Sequence, residues 1–202
     1  MAGRTETIDC VVAAIGRVAI TRSDVVHEYR MEQFLATGRP QVGLPSVSGL
    51  QQARTRLIDQ RLLAEEIGSY PANDALLRAA ALKQIAGLRA RFKGAGEFHS
   101  ALRSLGVTEN QLAARLERDQ RILLMISSRM RPAAVVSQSE IQDYYERTFL
   151  PKVSRLGQGA PPPLTAVEGQ IREILVQENI NRQLNQWVKE LGARRRVRIL
   201  SP

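Results

Sequence analysis

The sequence predicts a mainly α protein: a multi-helix core with a small N-terminal β-hairpin joined by a C-terminal strand. Three observations carry this expectation. Helix-opening caps recur, with Thr21 three residues before Asp24, Thr108 before Gln111, Ser137 before Glu140 and Thr165 before Glu168. In such a box the hydroxyl and the acidic or amide side chain satisfy orphan backbone amides reciprocally. Apolar residues recur at helical spacing over about seven turns from Thr165 onward, at Val167, Ile171, Ile174, Leu175, Leu184, Trp187, Val188 and Leu191. Polar–apolar alternation follows at Arg196–Leu200, and two short apolar runs stand near the other end of the chain.

Taken in order, Val11–Ile15 and Val18–Ile20 flank Gly16-Arg17 as a tight hairpin, whose free edge is the expected partner of the strand at Val197–Leu200. Thr21 caps a helix carrying Val25, Val26, Tyr29, Met31, Phe34 and Leu35, stopped by Gly38-Arg39-Pro40. Residues 41–48 read as a loop. A second helix is expected from about Gly49 to Ile67, with Leu50, Leu57, Ile58, Leu62 and Leu63 inward, closed by Gly68 and Pro71. Asn73 caps a third, through about Arg91, with Leu76, Leu77, Ala80, Ile85 and Leu88. A short helix, Glu97–Leu105, packs Phe98, Leu102 and Leu105 and ends at Gly106. The helix after Thr108 carries Leu112, Leu116, Leu123, Ile126 and Met130 to Arg131-Pro132. The next, after Ser137, carries Ile141, Tyr144, Tyr145 and Phe149 until Pro151 interrupts it. Lys152–Leu164, with Gly157, Gly159 and Pro161-Pro162-Pro163, reads as a linker stiffened by polyproline conformation. The last helix is expected to end near Gly192.

The 202 residues are 44% hydrophobic but only 4% aromatic, so the core is aliphatic. With 29 Lys and Arg against 20 Asp and Glu, the net charge of +9 favours anionic partners in general. The charges are nonetheless spread along helices. Their densest run, Arg194-Arg195-Arg196, complements the dipole at a helix C-terminus. A single cysteine, Cys10, excludes an intramolecular disulfide framework; beside Val11–Ile15 it is expected to be a buried or edge thiol. No stretch reaches the length of a transmembrane helix, and the first ten residues lack the apolar core of a signal peptide.

No phosphate-cradling glycine loop, zinc-ligand spacing or nucleophile elbow is present. His27 and His99 stand on different helices as solvent-facing residues. Asp59, Glu65 and Glu66 share one helix and are expected to be solvated or paired with Arg56 and Arg61. Trp187 is expected in the core, and an apolar helix face accounts for at least one of Tyr144 and Tyr145. The residues therefore nominate no catalytic, cofactor-binding or metal-binding site, and the peptide-binding surface stays unassigned. Helices wide in apolar face, separated by Gly or Pro, often leave a groove that takes an extended or helical peptide.

The opening run from Val11 through Gly16, Arg17 and Ile20 to Thr21 and Asp24 resembles that of the SurA-type periplasmic chaperones. Leu57-Ile58-Asp59-Gln60-Arg61-Leu62-Leu63 is similar to their second-helix signature. Phe98–Leu102 with Leu105–Glu109 resembles their short helix and turn, and Val136–Ile141 with Tyr144-Tyr145-Glu146 the helix before their first parvulin domain. Ile171–Leu175, Trp187–Leu191 and Val197–Ile199 resemble their closing helix and strand. The resemblance implies a helical chaperone segment over 9–149, a linker over 150–164 where relatives carry a prolyl isomerase domain, and a closing helix and strand over 165–200.

What it implies for function is an ATP-independent periplasmic chaperone, without cofactor, that binds unfolded or extended polypeptides such as outer-membrane proteins. The residues between Phe149 and Thr165 are far too few for a folded domain, so catalysis is not expected. Alternatives are an isomerase by family name only, or an assembly module that dimerises by exchanging terminal elements. Peripheral contact with anionic membranes fits the charge. Nucleic acid is not expected as a partner, because aromatic residues do not alternate with basic ones.

Overall fold

The computed structural model describes residues 9–41, 43–155 and 161–200. It is mainly helical with a small three-stranded antiparallel sheet, the fold class expected. The chain divides into two compact units: residues 1–123 with 188–202, and residues 124–187.

In the first unit, β1 (Val11–Ile15) and β2 (Val18–Thr21) form the hairpin, and β3 (Val197–Ile199) pairs with the other edge of β1, giving the order β2-β1-β3. Gly16 has φ +57° while Arg17 keeps a negative φ, the pattern of a type II′ turn, whose twist suits antiparallel strands. A bulge between Val11 and Ala13 breaks the pairing of β1 with β2. Alternation lapses there, so that Val12 and Ala13 are both buried, and the Val12 carbonyl accepts from the Leu200 N–H at 3.1 Å. The two ends of the chain meet in one sheet, as the alternation at each end predicts.

Helix α1 (Arg22–Thr37) opens with the expected capping box: Asp24 N–H donates to Thr21 Oγ1 at 3.2 Å, and Thr21 N–H to the Asp24 carboxylate at 3.0 Å. It ends at Gly38, left-handed at φ +73°, whose N–H reaches the Phe34 carbonyl. Helix α2 (Val47–Glu66) starts two residues before the expected position, because Ser46 caps it by accepting from Gly49 N–H. A 3-10 turn at Ile67–Ser69 ends it. Helix α3 (Asp74–Arg89) is capped by Asn73 and buries Leu77, Ala81, Ile85 and Leu88. Expected core residues Leu76 and Ala80 face solvent, since the stripe runs one residue out of phase with them. Helix α4 (Ala95–Ser104) and the first half of α5 (Glu109–Met130), with its Thr108–Gln111 box, complete the unit's main core.

That core joins Met31 and Phe34 of α1 to Ile85 and Leu88 of α3, Phe98 and Leu102 of α4 and Leu112 and Leu116 of α5. Phe92 and Phe98 meet edge to face at 5.5 Å between ring centres, and Phe34 lies 6.2 and 6.4 Å from them. Each such pair adds about 1 kcal/mol to what burial alone supplies. Leu123, expected inward, is exposed; Ile122, Met125 and Ile126 are the buried residues of that turn.

The second unit holds the end of α5, α6 (Gln138–Tyr144), α7 (Leu150–Arg155) and most of α8 (Leu164–Arg194). Ser137 and Glu140 form their box. Pro151 does not interrupt the helix. A proline lacks the N–H for its i−4 carbonyl and its ring clashes there. A π turn at Tyr145–Phe149 precedes it, and Leu150 N–H bonds to the Tyr145 carbonyl, so the helix widens and passes through. Lys152–Arg155, expected in the linker, is therefore helical; residues 156–160 of that stretch lie outside the described residues. Val136, Ile141, Val167 and Ile171 form the unit's core, with Tyr144, Tyr145 and Phe149 packed against it. Ile174 is 42% exposed, and Ile180 is buried instead.

Helix α8 departs from expectation at both ends. It begins at Leu164 directly after the prolines, so Thr165 is already helical and caps nothing; Glu168 pairs with Arg172 at 2.8 Å. It also passes through Gly192. A Cβ there would stand 3.6 Å from Val197 and 3.9 Å from Leu62, so the glycine marks close packing rather than a stop. The reversal falls to Arg196, at φ +52°.

Candidate functional site

The residues the sequence set aside as possible chemistry are not brought together. His27 and His99 are both exposed, His99 Nε2 lying 3.3 Å from the Glu109 carboxylate. Among the described residues, no three His, Cys, Asp or Glu side chains are grouped to hold a metal ion, and no helix is long and apolar enough to cross a membrane. Glu65 and Glu66 pair with Arg195 at 3.1 and 3.9 Å, not with Arg56 and Arg61. Those two arginines are engaged earlier along α2, Arg56 with Glu32 at 2.9 Å and Arg61 with Asp24 at 3.4 Å. Part of the arginine run thus binds α2, while Arg194 alone occupies the last turn of α8. Trp187 is buried, with the Arg129 guanidinium 4.5 Å over its ring. Tyr145 stacks on Phe149 at 5.6 Å and donates to the Pro162 carbonyl at 2.9 Å.

What the first unit does present is a segmented groove along α1. Its first depression, about 190 Å³, is floored by Val12, Val25, Val47 and Leu50 and edged by Arg22, Gln51 and Arg54. The β1 bulge brings Val12 here, and the early start of α2 brings Val47, which is 74% exposed. Arg22 also borders a second depression of about 560 Å³ with Cys10, Val26, His27 and Arg30. Arg30 and Leu105 in turn border a third, of about 530 Å³, toward Phe92 and Pro40. Cys10, expected as a buried or edge thiol, is exposed at the edge: it lies just before β1, and its carbonyl accepts from Arg22 N–H at 2.8 Å.

Arg22, Arg30 and Arg54 have no carboxylate partner among the described residues. The Nε atoms of Arg30 and Arg54 are shielded from solvent without an acceptor. The carboxylates on the groove wall are already in use, Asp9 accepting from Ser23 N–H at 3.2 Å and Glu97 from Lys93 N–H at 2.8 Å. The first depression is therefore an aliphatic pocket edged by arginine, and the second and third carry both arginine and carboxylate on their walls.

Elsewhere on α1, Glu28 is 3% exposed, the one charged residue buried among the described residues. Arg115 of α5 grips its carboxylate with two nitrogens, Nη1 donating to Oε2 at 2.6 Å and Nη2 to Oε1, and lies 3.6 Å from Asp119. Burial works against the Glu28 charge, but the hydrogen bonds and charge of Arg115, with lesser help from Gln60 and His27, outweigh it and hold the carboxyl below the ordinary range. Burial pushes Glu32, Asp59 and Asp119 above theirs. This clamp was missed in the sequence, although a signal exists. Glu28 sits three residues from both Val25 and Met31, and Arg115 beside Leu116, so each charge lies within an apolar stripe.

Compared with protein-family models, curated proteins and solved structures, the chain matches none. The structure defines a helical core closed by a three-stranded sheet, with a small apolar depression edged by arginine.

Proposed function

We propose that the protein is an ATP-independent chaperone that holds unfolded polypeptides, located in the bacterial periplasm as the SurA-type resemblance implies. The observation that carries the reading is the aliphatic depression beside α1, where Val47 is 74% exposed and Leu50 partly exposed over the buried Val12 and Val25. Burying apolar side chains of a client there removes them from water, at about 25 cal/mol per Å² of area, without nucleotide chemistry. Positive charge around the cleft raises encounter rates with acidic chains.

The test is light scattering of a denatured outer-membrane β-barrel protein diluted into buffer with and without this chain. Suppression at near-equimolar ratio is expected, and Val47→Asp with Leu50→Asp should weaken it several-fold. No suppression by the unaltered chain at molar excess overturns the reading. The isomerase alternative rests on the family name alone, and a protease-coupled prolyl isomerisation assay addresses it separately.

A further inference from the structure

We infer that the groove selects client segments in which an aliphatic residue is flanked by aspartate or glutamate, read by Arg22, Arg30 and Arg54. The inference rests on the chaperone reading for there being a polypeptide client at all; what it adds is the client's chemistry.

The first argument is position. Like Arg17, Arg39 and Arg198, the arginines Arg22, Arg30 and Arg54 meet no carboxylate among the described residues, but these last three border the apolar depressions. A guanidinium at such a border offers an arriving carboxylate a charge-assisted and often bidentate bond. The unit as a whole leans the same way: it holds 22 Lys and Arg against 14 Asp and Glu, where residues 124–187 hold 7 against 6.

Size and spacing fix the kind of acid. The first depression, about 190 Å³, equals roughly six liquid water volumes, room for one large aliphatic side chain and too small for a drug-sized ligand. Arg22 and Arg30 are two helical turns apart, roughly 12 Å. An extended chain spans that in about four residues. The matching segment is therefore a leucine or valine with acidic residues three to four positions apart. A single-stranded nucleic acid fits less well. The first two depressions offer it aliphatic surface rather than stacking rings.

The experiment is fluorescence anisotropy with the full chain and labelled twelve-residue peptides: a leucine peptide with glutamates at that spacing, and its Glu→Gln counterpart. The acidic peptide should bind about tenfold more tightly at low salt, a gap that narrows at high salt. In the double variant Arg22→Gln, Arg30→Gln the gap should close. Its melting temperature should hold, because neither side chain takes part in an ion pair. Equal binding of the two peptides, a preference that survives in the variant, or displacement of the peptide by a short oligonucleotide of equal charge overturns the inference. If scattering suppression persists in those cases, the chaperone reading stands and only the acidic selection falls. If no peptide binds and no suppression is seen, both fall.

Discussion

Replacing Arg115 by methionine is the sharpest perturbation of this fold. The substitution keeps the volume of the side chain but leaves Glu28, 3% exposed, without its cation. Removing one partner of a buried ion pair costs about 3–5 kcal/mol. Here the chain has a cheaper route, which is to protonate the carboxyl. For a group of ordinary pKa 4.5, neutralisation at pH 7 costs about 3.4 kcal/mol, and at pH 5 only about 0.7. The deficit of the variant should therefore be about 3 kcal/mol at pH 7 and shrink by some 2–3 kcal/mol at pH 5. The assay is urea unfolding followed by far-ultraviolet circular dichroism at both pH values. With a slope of about 2 kcal/mol per molar, the neutral midpoint falls by about 1.5 M. Trp187, the sole tryptophan, lies in the second unit, so its emission follows that unit separately. The double variant Glu28→Leu, Arg115→Met should return to within about 1 kcal/mol of the original, since well-packed apolar pairs replace buried ion pairs at little cost. A single-variant loss below about 1 kcal/mol, or one equal at both pH values, would refute the argument that the pair is desolvated.

The same carboxylates set the acid response. Glu32, Asp59 and Asp119, raised by burial, take up protons in the fold before the unfolded chain does at its ordinary 3.8 to 4.5, so they add stability as pH falls from 7. Glu28, depressed, subtracts only below that range. The urea midpoint should thus rise toward about pH 5 and drop below about pH 4; a steady fall from pH 7 to 5 would contradict this, and Asp119→Asn should flatten the rise. Ending the chain after Arg196 removes β3 and its pairing with Ala13, Ala14 and Ile15, a loss of about 1–3 kcal/mol that should appear in urea titration, with association of the bared β1 edge in size-exclusion profiles. Gly38→Ala should cost about 1–2 kcal/mol, since the residue holds φ +73° and its Cβ would stand 2.7 Å from Arg91 Cδ. Gly87→Ala, in open space within α3, should instead add about 0.5–1 kcal/mol in the same measurement.

Element type was readable because caps and periodicity are local. The boxes at Thr21, Thr108 and Ser137 form as written, since each needs only four residues and a following helix. Boundaries failed where a distant neighbour decided. Gly192 looked like a stop because a missing Cβ suits a left-handed cap. The same missing Cβ lets Val197 and Leu62 approach a helix that continues. Pro151 looked like an interruption, but a π turn absorbs the lost donor. The groove was hidden for a different reason. Val12, Val25 and Leu50 carry the same apolar signature whether they face a core or a cleft, and Val47 fell within the expected loop. Unpaired arginines are equally invisible in one dimension, because pairing is a fact of three-dimensional neighbours.

The position of β1 bears on how such a chain could carry, or do without, an inserted domain. β1 lies between a strand it reaches through a two-residue turn and a strand that begins at Val197, so the first unit closes only after the whole intervening chain has been made. Loop closure is costly to begin but grows slowly, as about 0.9 kcal/mol times the logarithm of length. Lengthening the segment between α5 and α8 by a domain of roughly 100 residues would add only about 0.4 kcal/mol to that closure. An insertion near Pro161–Pro163 would therefore cost closure of the sheet almost nothing. The groove residues all lie in the first unit, on β1, α1, α2 and the α4 region, and none lies between α6 and α8. An insertion between α7 and α8 would leave the Arg22–Arg54 cleft untouched, so the scattering and isomerisation assays proposed above should give independent answers.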